Sequence, residues 1–200
     1  YLDRRKPGQS KYTTQRKEGD QVEILSGIFE GRTTGTPISM VVYNKDQRSK
    51  DYSNIKDIYR PGHADFTFDM KYGFRDYRGG GRSSGRETIG RVAAGAVAAK
   101  VLKELGIEIK AYAKAIAGIE VSKDHFDFAE MNNNPFNMPD KEAAKLVQEK
   151  ADQMIKEMDS IGGIIECQIT GMPVGIGETV FDKLDAELSK AIMSIGSVKG

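Results

Sequence analysis

Three stretches of the chain repeat their apolar residues every three or four positions, which predicts amphipathic helices. They cover residues 84–105, 139–158 and 181–195. One face of the second helix carries Ala143, Val147, Ala151, Met154 and Met158. The first helix is unusual because it contains Gly90 and Gly95, and glycine weakens a helix. We therefore expect another helix or a sheet to pack closely against it.

Shorter apolar runs between turn residues predict strands over residues 22–30, 38–43, 107–120 and 164–170. The first two flank a Gly-Thr-Pro turn and are expected to pair as a hairpin. The last contains Cys167 and is predicted to be buried, with a structural thiol. Because helices alternate with hairpins and single strands, the pattern indicates an α+β fold or a mixed β-α-β sandwich.

Composition narrows the classes of function. With 38% hydrophobic and 30% charged residues, the 200-residue chain is compatible with a soluble globular core. The single cysteine excludes a disulfide framework and favours an intracellular protein. No apolar run is long enough for a membrane span, and no signal peptide is visible.

Charge is unevenly distributed along a chain whose formal net charge is only +1. Such a balance lacks the strongly basic footprint of a general nucleic-acid binder. However, residues 1–17 sum to +5 and residues 60–91 sum to +3. Two positive segments on a nearly neutral chain point to a small ligand with several negative charges.

The stretch from residue 60 to residue 95 concentrates six arginines, a histidine and three consecutive glycines. Gly79, Gly80 and Gly81 permit positive φ and a close approach of the backbone to a ligand. Ser84 and Glu87 match the S-x-x-E capping box that begins a helix. A helix N-terminus favours anions, and the nearby arginines add full charge. The stretch therefore predicts an anion-binding site rather than a flexible loop before an ordinary helix.

Known loop motifs fit this stretch poorly. Residues 81–85 match the nucleophile elbow G-x-S-x-G, but no buried strand precedes them, which excludes a serine hydrolase. Arg86 and Glu87 stand where a P-loop needs Lys and Ser/Thr. Ser84 stands where the dinucleotide-binding motif needs its third glycine. Two alternatives stay open: an RNA-binding module that uses the Arg/Gly-rich residues 78–82, and an inactive assembly scaffold.

Four segments of the sequence resemble chorismate synthase. They are YLDRRKPGQSKYTTQR at residues 1–16, NKDQRSKDYSNIKD at 44–57, RPGHADFTFDMKYGFRDYRGGGRSSGRET at 60–88 and FDKLDAELSKAIMSI at 181–195. The RPGHAD and GGGRSSGRET blocks are the most specific. Because the resemblance extends over essentially the whole sequence, residues 1–200 are expected to form part of a single catalytic domain of this family.

The resemblance implies a reaction and its requirements. The family converts 5-enolpyruvylshikimate 3-phosphate to chorismate and phosphate by anti-1,4-elimination, the last step of the shikimate pathway. It needs reduced FMN, although the reaction has no net redox change, and NADPH is a candidate reductant of the flavin. The resemblance further implies a cytoplasmic homotetramer with helices layered between two sheets, and neither nucleic acid nor a membrane as a partner.

Some of the family's functional residues match positions of this sequence. His63, in RPGHAD, matches the histidine near the reduced flavin and is expected to donate a proton to it. Arg82, Ser83 and Ser84 match a loop that contacts the flavin. His125 has no such match and is interpreted as a surface histidine.

Further matches concern the anionic groups of the substrate. Arg5, Arg60 and Arg86 match arginines that hold its phosphate and carboxylates. Lys11 lies where the family often has arginine, so it keeps the charge but loses the bidentate fork. Arg5 and Lys11 are assigned to both the substrate and the cofactor, and no metal ligand is predicted.

The sequence also lacks parts of the family's pattern. It has no GESHG block, in which the family carries a second histidine expected to protonate the leaving phosphate. The family's C-terminal half, with further flavin-binding loops and a late aspartate, is also absent. The resemblance therefore implies the middle part of the family's length and only part of an active site.

Overall fold

The structure is a computed structural model that describes residues 1–14, 16, 18–45 and 54–200. The chain divides into two compact units. The first consists of Tyr1–Lys6, Arg16–Val97 and Val174–Gly200, and the second of Pro7–Gln15 and Ala98–Pro173. The expectation that residues 1–200 are part of one domain stays a prediction. The segment at residues 44–57 that resembles chorismate synthase includes residues 46–53, which lie outside the described residues.

The first unit contains two antiparallel pairs of short strands. They are β1 (Val22–Ser26), β2 (Ile28–Phe29), β3 (Arg32–Thr33) and β4 (Ser39–Val42). β1 pairs with β4, and β2 pairs with β3. The predicted hairpin is confirmed, but its first strand is interrupted at Gly27. A Cβ at Gly27 would lie 2.7 Å from the Pro37 carbonyl oxygen, so the chain turns there where only glycine fits.

Four helices occur in the described part of the chain. They are α1 (Asp65–Tyr72), α2 (Thr88–Glu104), α3 (Lys141–Glu157) and α4 (Leu184–Met193). The three predicted helices correspond to α2, α3 and α4, and α1 was not predicted. Two short 3-10 turns, Gly81–Ser83 and Gly85–Glu87, precede α2. Gly106 ends α2 with a φ of 76°, as expected for a glycine after a helix.

The second unit is built on a three-stranded antiparallel sheet. Its strands β5 (Glu108–Ile116), β6 (Ile119–Glu120) and β7 (Gly163–Thr170) lie in the order β6-β5-β7. A tight turn at Ala117 and Gly118, with φ angles of 53° and 79°, joins β5 to β6. Two consecutive positive φ angles are the geometry that suits the right-handed twist of a hairpin. Strand structure was predicted over residues 107–120, and the structure shows that this segment forms a pair of strands.

The apolar core lies in the second unit, where α3 contributes the face that its periodicity predicted. The buried cluster consists of Ala113, Met138, Ala143, Ala144 and Val147. Ala151 is also buried, but Met158 is 94% exposed. The prediction that Met158 belongs to the buried face is wrong, because the residue follows the end of α3 in the left-handed conformation, with a φ of 55°.

The prediction that the strand with Cys167 is buried is also wrong. β7 pairs with β5 alone and forms an edge of the sheet, and most of its side chains are exposed, including Cys167. An apolar run of this length cannot distinguish a strand covered on both faces from one that is not.

The small residues of α2 have a different explanation from the predicted close packing. A Cβ placed on Gly90 or Gly95 would meet no atom of the described residues within 4 Å. The expectation of another element pressed against these glycines is therefore wrong in the described part of the chain. Gly90 instead lines an open groove.

Asp140 joins the N-terminus of α3 to the preceding loop. Its Oδ1 accepts hydrogen bonds from Glu142 N at 2.9 Å and Ala143 N at 3.0 Å, and its Oδ2 accepts one from Ser122 N at 3.0 Å. Burial raises the pKa of this carboxyl, but the three N–H donors outweigh burial and hold the pKa below its ordinary value. The buried side chain is thus a fully satisfied N-cap.

We expect Asp140→Ala to lower the free energy of unfolding by about 2–3 kcal/mol, because it leaves buried N–H groups without acceptors. A urea titration of the complete protein measures the change. The depressed pKa adds a pH signature: the stability from Asp140 is present above the unfolded pKa of about 3.9 and is lost as the pH falls below it. Asp140→Asn should lose part of this acid dependence.

The matched control for this cap is Asp127→Ala. Asp127 also caps a turn, accepting from Ala129 N at 2.8 Å, but it is exposed. Asp127→Ala should lower the free energy of unfolding clearly less than Asp140→Ala does. Equal losses for the two variants would show that burial of the Asp140 cap is irrelevant to stability.

Candidate functional site

The glycine tract ahead of α2 adopts a conformation that glycine accepts far more readily than other residues. Gly79, Gly80 and Gly81 have φ angles of 124°, 85° and 50°. Gly80 N donates to the Asp76 carbonyl oxygen at 3.0 Å, and Ser83 Oγ donates to the Gly80 carbonyl oxygen at 2.6 Å. The predicted positive φ is confirmed, and the tract forms a defined turn.

Ser84 caps the turn that leads into α2. Its Oγ accepts a hydrogen bond from Arg86 N at 3.3 Å, and its backbone is extended. Glu87 does not reach back to complete the predicted capping box. Its carboxylate instead accepts from Arg91 Nε at 3.1 Å, one turn further along the helix. The predicted helix start is therefore confirmed, but the reciprocal half of the box is wrong.

A groove of about 590 Å³ lies beside the start of α2 in the first unit. α2 lines it with Gly90 and Ala93, and β4 lines it with Met40 and Val42. Its size is within the range of small-molecule and cofactor sites. The groove therefore combines an apolar wall with positions on the helix that carry little or no side chain.

Arg82 and Arg86 also line this groove, but their surroundings differ. Arg82 is exposed, and no carboxylate of the described residues lies within ion-pair distance of it. Arg86 Nη2 donates to Asp20 Oδ1 at 3.0 Å, and its Nη1 lies 3.7 Å from Glu18 Oε1. Both of these acidic residues are buried. Arg86 thus supplies the counter-charge for two buried carboxylates at the edge of the groove.

Arg60 is likewise paired with a buried carboxylate. Its Nε and Nη2 donate to the two carboxylate oxygens of Asp65 at 2.9 Å and 3.0 Å, and its backbone N donates to Oδ2 at 3.1 Å. These bonds from Arg60 outweigh desolvation and hold the pKa of Asp65 well below its usual range. The predicted contacts of Arg60 and Arg86 with the substrate stay predictions, and the structure adds an internal partner for each.

His63 lies in the short loop between Arg60 and α1, and its side chain is exposed. Its Nδ1 lies 3.0 Å from the Pro61 carbonyl oxygen. A carbonyl oxygen can only accept, so Nδ1 carries the hydrogen of this bond. The bond leaves Nε2 as the ring nitrogen that can exchange a proton with a ligand.

The remaining two predicted residues belong to different units. Arg5, in the first unit, lies with its guanidinium 5.8 Å from the centre of the Tyr1 ring. Lys11, in the second unit, places Nζ 2.8 Å from Asp152 Oδ1. Hydrogen bonding to Asp152 raises the pKa of Lys11, and the same bond lowers the pKa of Asp152. Lys11 is therefore a cation paired with Asp152, a residue of α3.

Sequence reasoning did not identify the roles of Asp65, Asp69 and Arg75. Arg75 was counted only as one of several cations, yet its side chain is 6% exposed and faces both carboxylates. The available signal was the density of acidic residues among the arginines of residues 60–76. Opposite charges so close along a chain favour internal ion pairs.

The comparisons with known proteins agree over the whole chain. The family model described as chorismate synthase matches residues 1–200. The chain belongs to the chorismate synthase family. A chorismate synthase from Lachnospira eligens is 71% identical over 199 residues, and one from Chloroflexus aggregans is 56% identical over 199 residues. Each alignment covers 100% of this chain and 54% of the relative.

A solved structure gives the same result for the fold. A crystal structure of chorismate synthase superposes with a TM-score of 0.72 and 30% sequence identity, over 90% of this chain and 54% of the other. The α+β class is confirmed, while the layering of helices between two sheets stays a prediction. This chain spans about half the length of the chorismate synthases it matches. In the described residues, no helix has the length and apolar character of a transmembrane span.

We expect Arg86→Ala to lower the free energy of unfolding by about 2–3 kcal/mol, because it removes the guanidinium that pairs with the buried carboxylates of Glu18 and Asp20. Arg86→Lys should recover part of the loss, since lysine restores the charge but not the planar fork. Adding Asp20→Asn to Arg86→Ala should also recover part of the lost stability, because it removes the negative charge that Arg86 pairs with in the wild type. Urea titrations of the three variants provide the measurement.

Arg78→Ala is the control for these variants, because the pair of Arg78 with Asp76 is exposed on both sides. Arg78→Ala should lower the free energy of unfolding much less than Arg86→Ala does. If Arg86→Ala is as stable as Arg78→Ala, the ion pairs at Glu18 and Asp20 contribute nothing to folding.

Proposed function

We propose that the complete protein converts 5-enolpyruvylshikimate 3-phosphate to chorismate and phosphate by anti-1,4-elimination with reduced FMN. The observation that carries this proposal is the match of the chorismate synthase family over all 200 residues. The groove beside Arg82 gives it geometric support. The direct test is release of phosphate and formation of chorismate by the complete protein with reduced FMN and this substrate.

The substrate carries a phosphate and two carboxylates, so its site needs several cations held in fixed positions. Arg5, Lys11, Arg60 and Arg86 are the residues that we assign to these groups. Arginine forks bind carboxylate and phosphate in a defined orientation. Such orientation keeps the breaking C–O bond and the departing hydrogen in line, which accounts for a large part of the barrier reduction in oriented reactions.

The lining of the groove supports the proposed flavin site. A planar ring system needs an apolar wall and a surface without bulky side chains, and the groove is lined by Met40 and Val42 of β4 and by Gly90 of α2. Reduced FMN, when bound, supplies electron density to the substrate as its phosphate leaves. Arg82, Ser83 and Ser84 would hold the flavin.

The two serine hydroxyls would act differently toward a ligand. Ser83 Oγ donates its hydrogen to the Gly80 carbonyl oxygen, so it can only accept a further hydrogen bond. Ser84 Oγ accepts from Arg86 N and keeps its hydrogen. Ser84 would therefore donate to an anionic or carbonyl oxygen, while Arg82 adds the charge.

His63 is assigned to proton transfer. The bond from Nδ1 to the Pro61 carbonyl oxygen fixes the ring orientation and leaves Nε2 to hold the exchanging proton. A positioned general acid or base typically accelerates a reaction about 10²–10⁴-fold. His63 is therefore the residue of this chain whose loss should affect the chemical step most directly.

We expect His63→Ala to lower kcat of the complete protein by about 10²–10⁴-fold while substrate affinity changes little. Phosphate release under steady-state conditions gives kcat, and the flavin absorbance change on substrate addition gives the affinity. His125→Ala is the matched control, because His125 is exposed and lies 3.4 Å from Glu142. Equal turnover of His63→Ala and wild type would remove His63 from the mechanism.

Arg82→Ala should weaken FMN binding by about 10–100-fold, because a hydrogen bond from a charged group contributes roughly 1.5–3 kcal/mol. Arg82→Lys should recover part of the affinity. Fluorescence titration of FMN with the complete protein measures both. Arg78→Ala controls for the general charge of the loop, and an equal effect of the two replacements would contradict a specific contact.

The proposal includes further properties of the complete protein. The family assignment supports a homotetramer in the cytoplasm, and NADPH remains a candidate reductant of the flavin. The RNA-binding alternative needs a free Arg/Gly segment. The structure weighs against it, because Arg78 pairs with Asp76 and the glycines form a defined turn before α2.

A further inference from the structure

Arg75 is the most deeply buried cation near His63. Its side chain is 6% exposed, and a buried guanidinium is costly unless its donors are used. Its Nη2 lies within hydrogen-bond distance of three carbonyl oxygens: Ile55 at 3.0 Å, Lys56 at 2.7 Å and Ile58 at 2.9 Å. One side-chain group thereby gathers the carbonyls of the turn that precedes the RPGHAD block.

The rest of the same guanidinium faces two carboxylates. Nη1 lies 3.6 Å from Asp65 Oδ2, and Nε lies 3.6 Å from Asp69 Oδ2. Nη1 is buried and makes no hydrogen bond to the described residues. Tyr59 lies against the group as well, with its ring centre 5.5 Å from the guanidinium carbon. Arg75 therefore connects the turn before the RPGHAD block to α1, which begins at Asp65.

The loop that carries His63 is closed by hydrogen bonds between its two end residues, Arg60 and Asp65. Asp65 accepts three hydrogen bonds from Arg60, two from its side chain and one from its backbone. His63 N donates to the Arg60 carbonyl oxygen at 3.3 Å within this loop. The histidine is thus held in a ring of six residues, and Arg75 lies against the carboxylate that closes the ring.

We propose that Arg75 is a positioning residue for His63. It fixes Asp65 and the turn at residues 54–58, and these hold the six-residue loop so that Nε2 of His63 is directed to one place. The inference rests on the role given to His63 in the proposed function. Arg75 itself contacts neither substrate nor cofactor in this proposal, so its effect must pass through the histidine.

A double-mutant cycle separates positioning from a general loss of structure. Arg75→Lys keeps the charge and most of the volume, but an ammonium cannot reach three carbonyls and two carboxylates together. A misplacement near 1 Å can cost about 10²-fold in rate. We expect Arg75→Lys in the complete protein to lower kcat by about 10–100-fold and to change KM by less than about threefold.

The decisive comparison is the same substitution in the His63→Ala background. If Arg75 acts through His63, Arg75→Lys should lower kcat there by less than about threefold, because the group it positions is already gone. An equal loss in both backgrounds would mean that Arg75 merely supports the fold, and it would overturn the inference. The matched control is Arg78→Lys, an exposed arginine close in sequence, which should leave kcat unchanged in both backgrounds.

The outcomes also distinguish this inference from the proposed function. If His63→Ala has normal turnover, the role of His63 fails, and the inference fails with it. If His63→Ala is slow while Arg75→Lys is as fast as wild type, only the inference is overturned.

A milder variant covers the case in which Arg75→Lys does not fold. The centre of the Tyr59 ring lies 5.5 Å from the guanidinium carbon of Arg75, so Tyr59→Leu removes this cation–π contact and loosens the guanidinium without removing a charge. We expect a loss of about 3–10-fold in kcat that disappears in the His63→Ala background. A loss that persists in that background would overturn the inference in the same way.

Discussion

Buried carboxylates that require arginine counter-charges are the constraint on which the first unit depends. Glu18, Asp20 and Asp65 are buried there, whereas Ala93 is the sole buried apolar side chain among the described residues of that unit. A buried charge without a partner costs several kcal/mol. The arginines of residues 60–86 supply the partners, so the segments that carry the candidate site are joined by ion pairs.

Such pairs specify geometry more effectively than they add stability. A buried ion pair is often no more stabilising than apolar residues of the same volume, because desolvation offsets the attraction. Its hydrogen bonds are directional, however, and a bidentate guanidinium accepts only one orientation of the carboxylate. Arg60 and Asp65 show this geometry around the loop of His63. The second unit contrasts with this arrangement, since its centre is an apolar cluster on α3 and β5.

The sequence predicted regular elements well where the apolar residues follow a single repeat. The face of α3, the hairpin of β5 and β6 and the glycine that ends α2 follow from local spacing and turn chemistry. The exposure of β7 and of Met158 could not be predicted, because an apolar residue carries no information about whether another element covers it. Gly90 is a related case, since a missing side chain fits a close contact and an open groove equally well.

The residues of the candidate site stay predictions, and the structure adds partners for them that the sequence did not indicate. The concentration of positive charge predicted a small ligand with several negative charges. In the structure, Arg60, Arg75 and Arg86 have carboxylate partners within the same unit, whereas Arg82 has none among the described residues. Counting charges along a chain cannot separate these cases, because the partners Glu18 and Asp20 are more than sixty residues from Arg86 in sequence.

The contact between Gly106 and Gly171 has a consequence for how this family can vary. A Cβ on Gly171 would lie 2.0 Å from the Gly106 carbonyl oxygen, and Gly106 itself has a φ of 76°. Gly171 also has a positive φ, 75°, so backbone conformation restricts both positions and lack of space restricts Gly171 in addition. A change at one does not relieve the restriction at the other, so no pair of substitutions can compensate. Random libraries of this chain should keep glycine at both positions independently, with no sign of covariation between them.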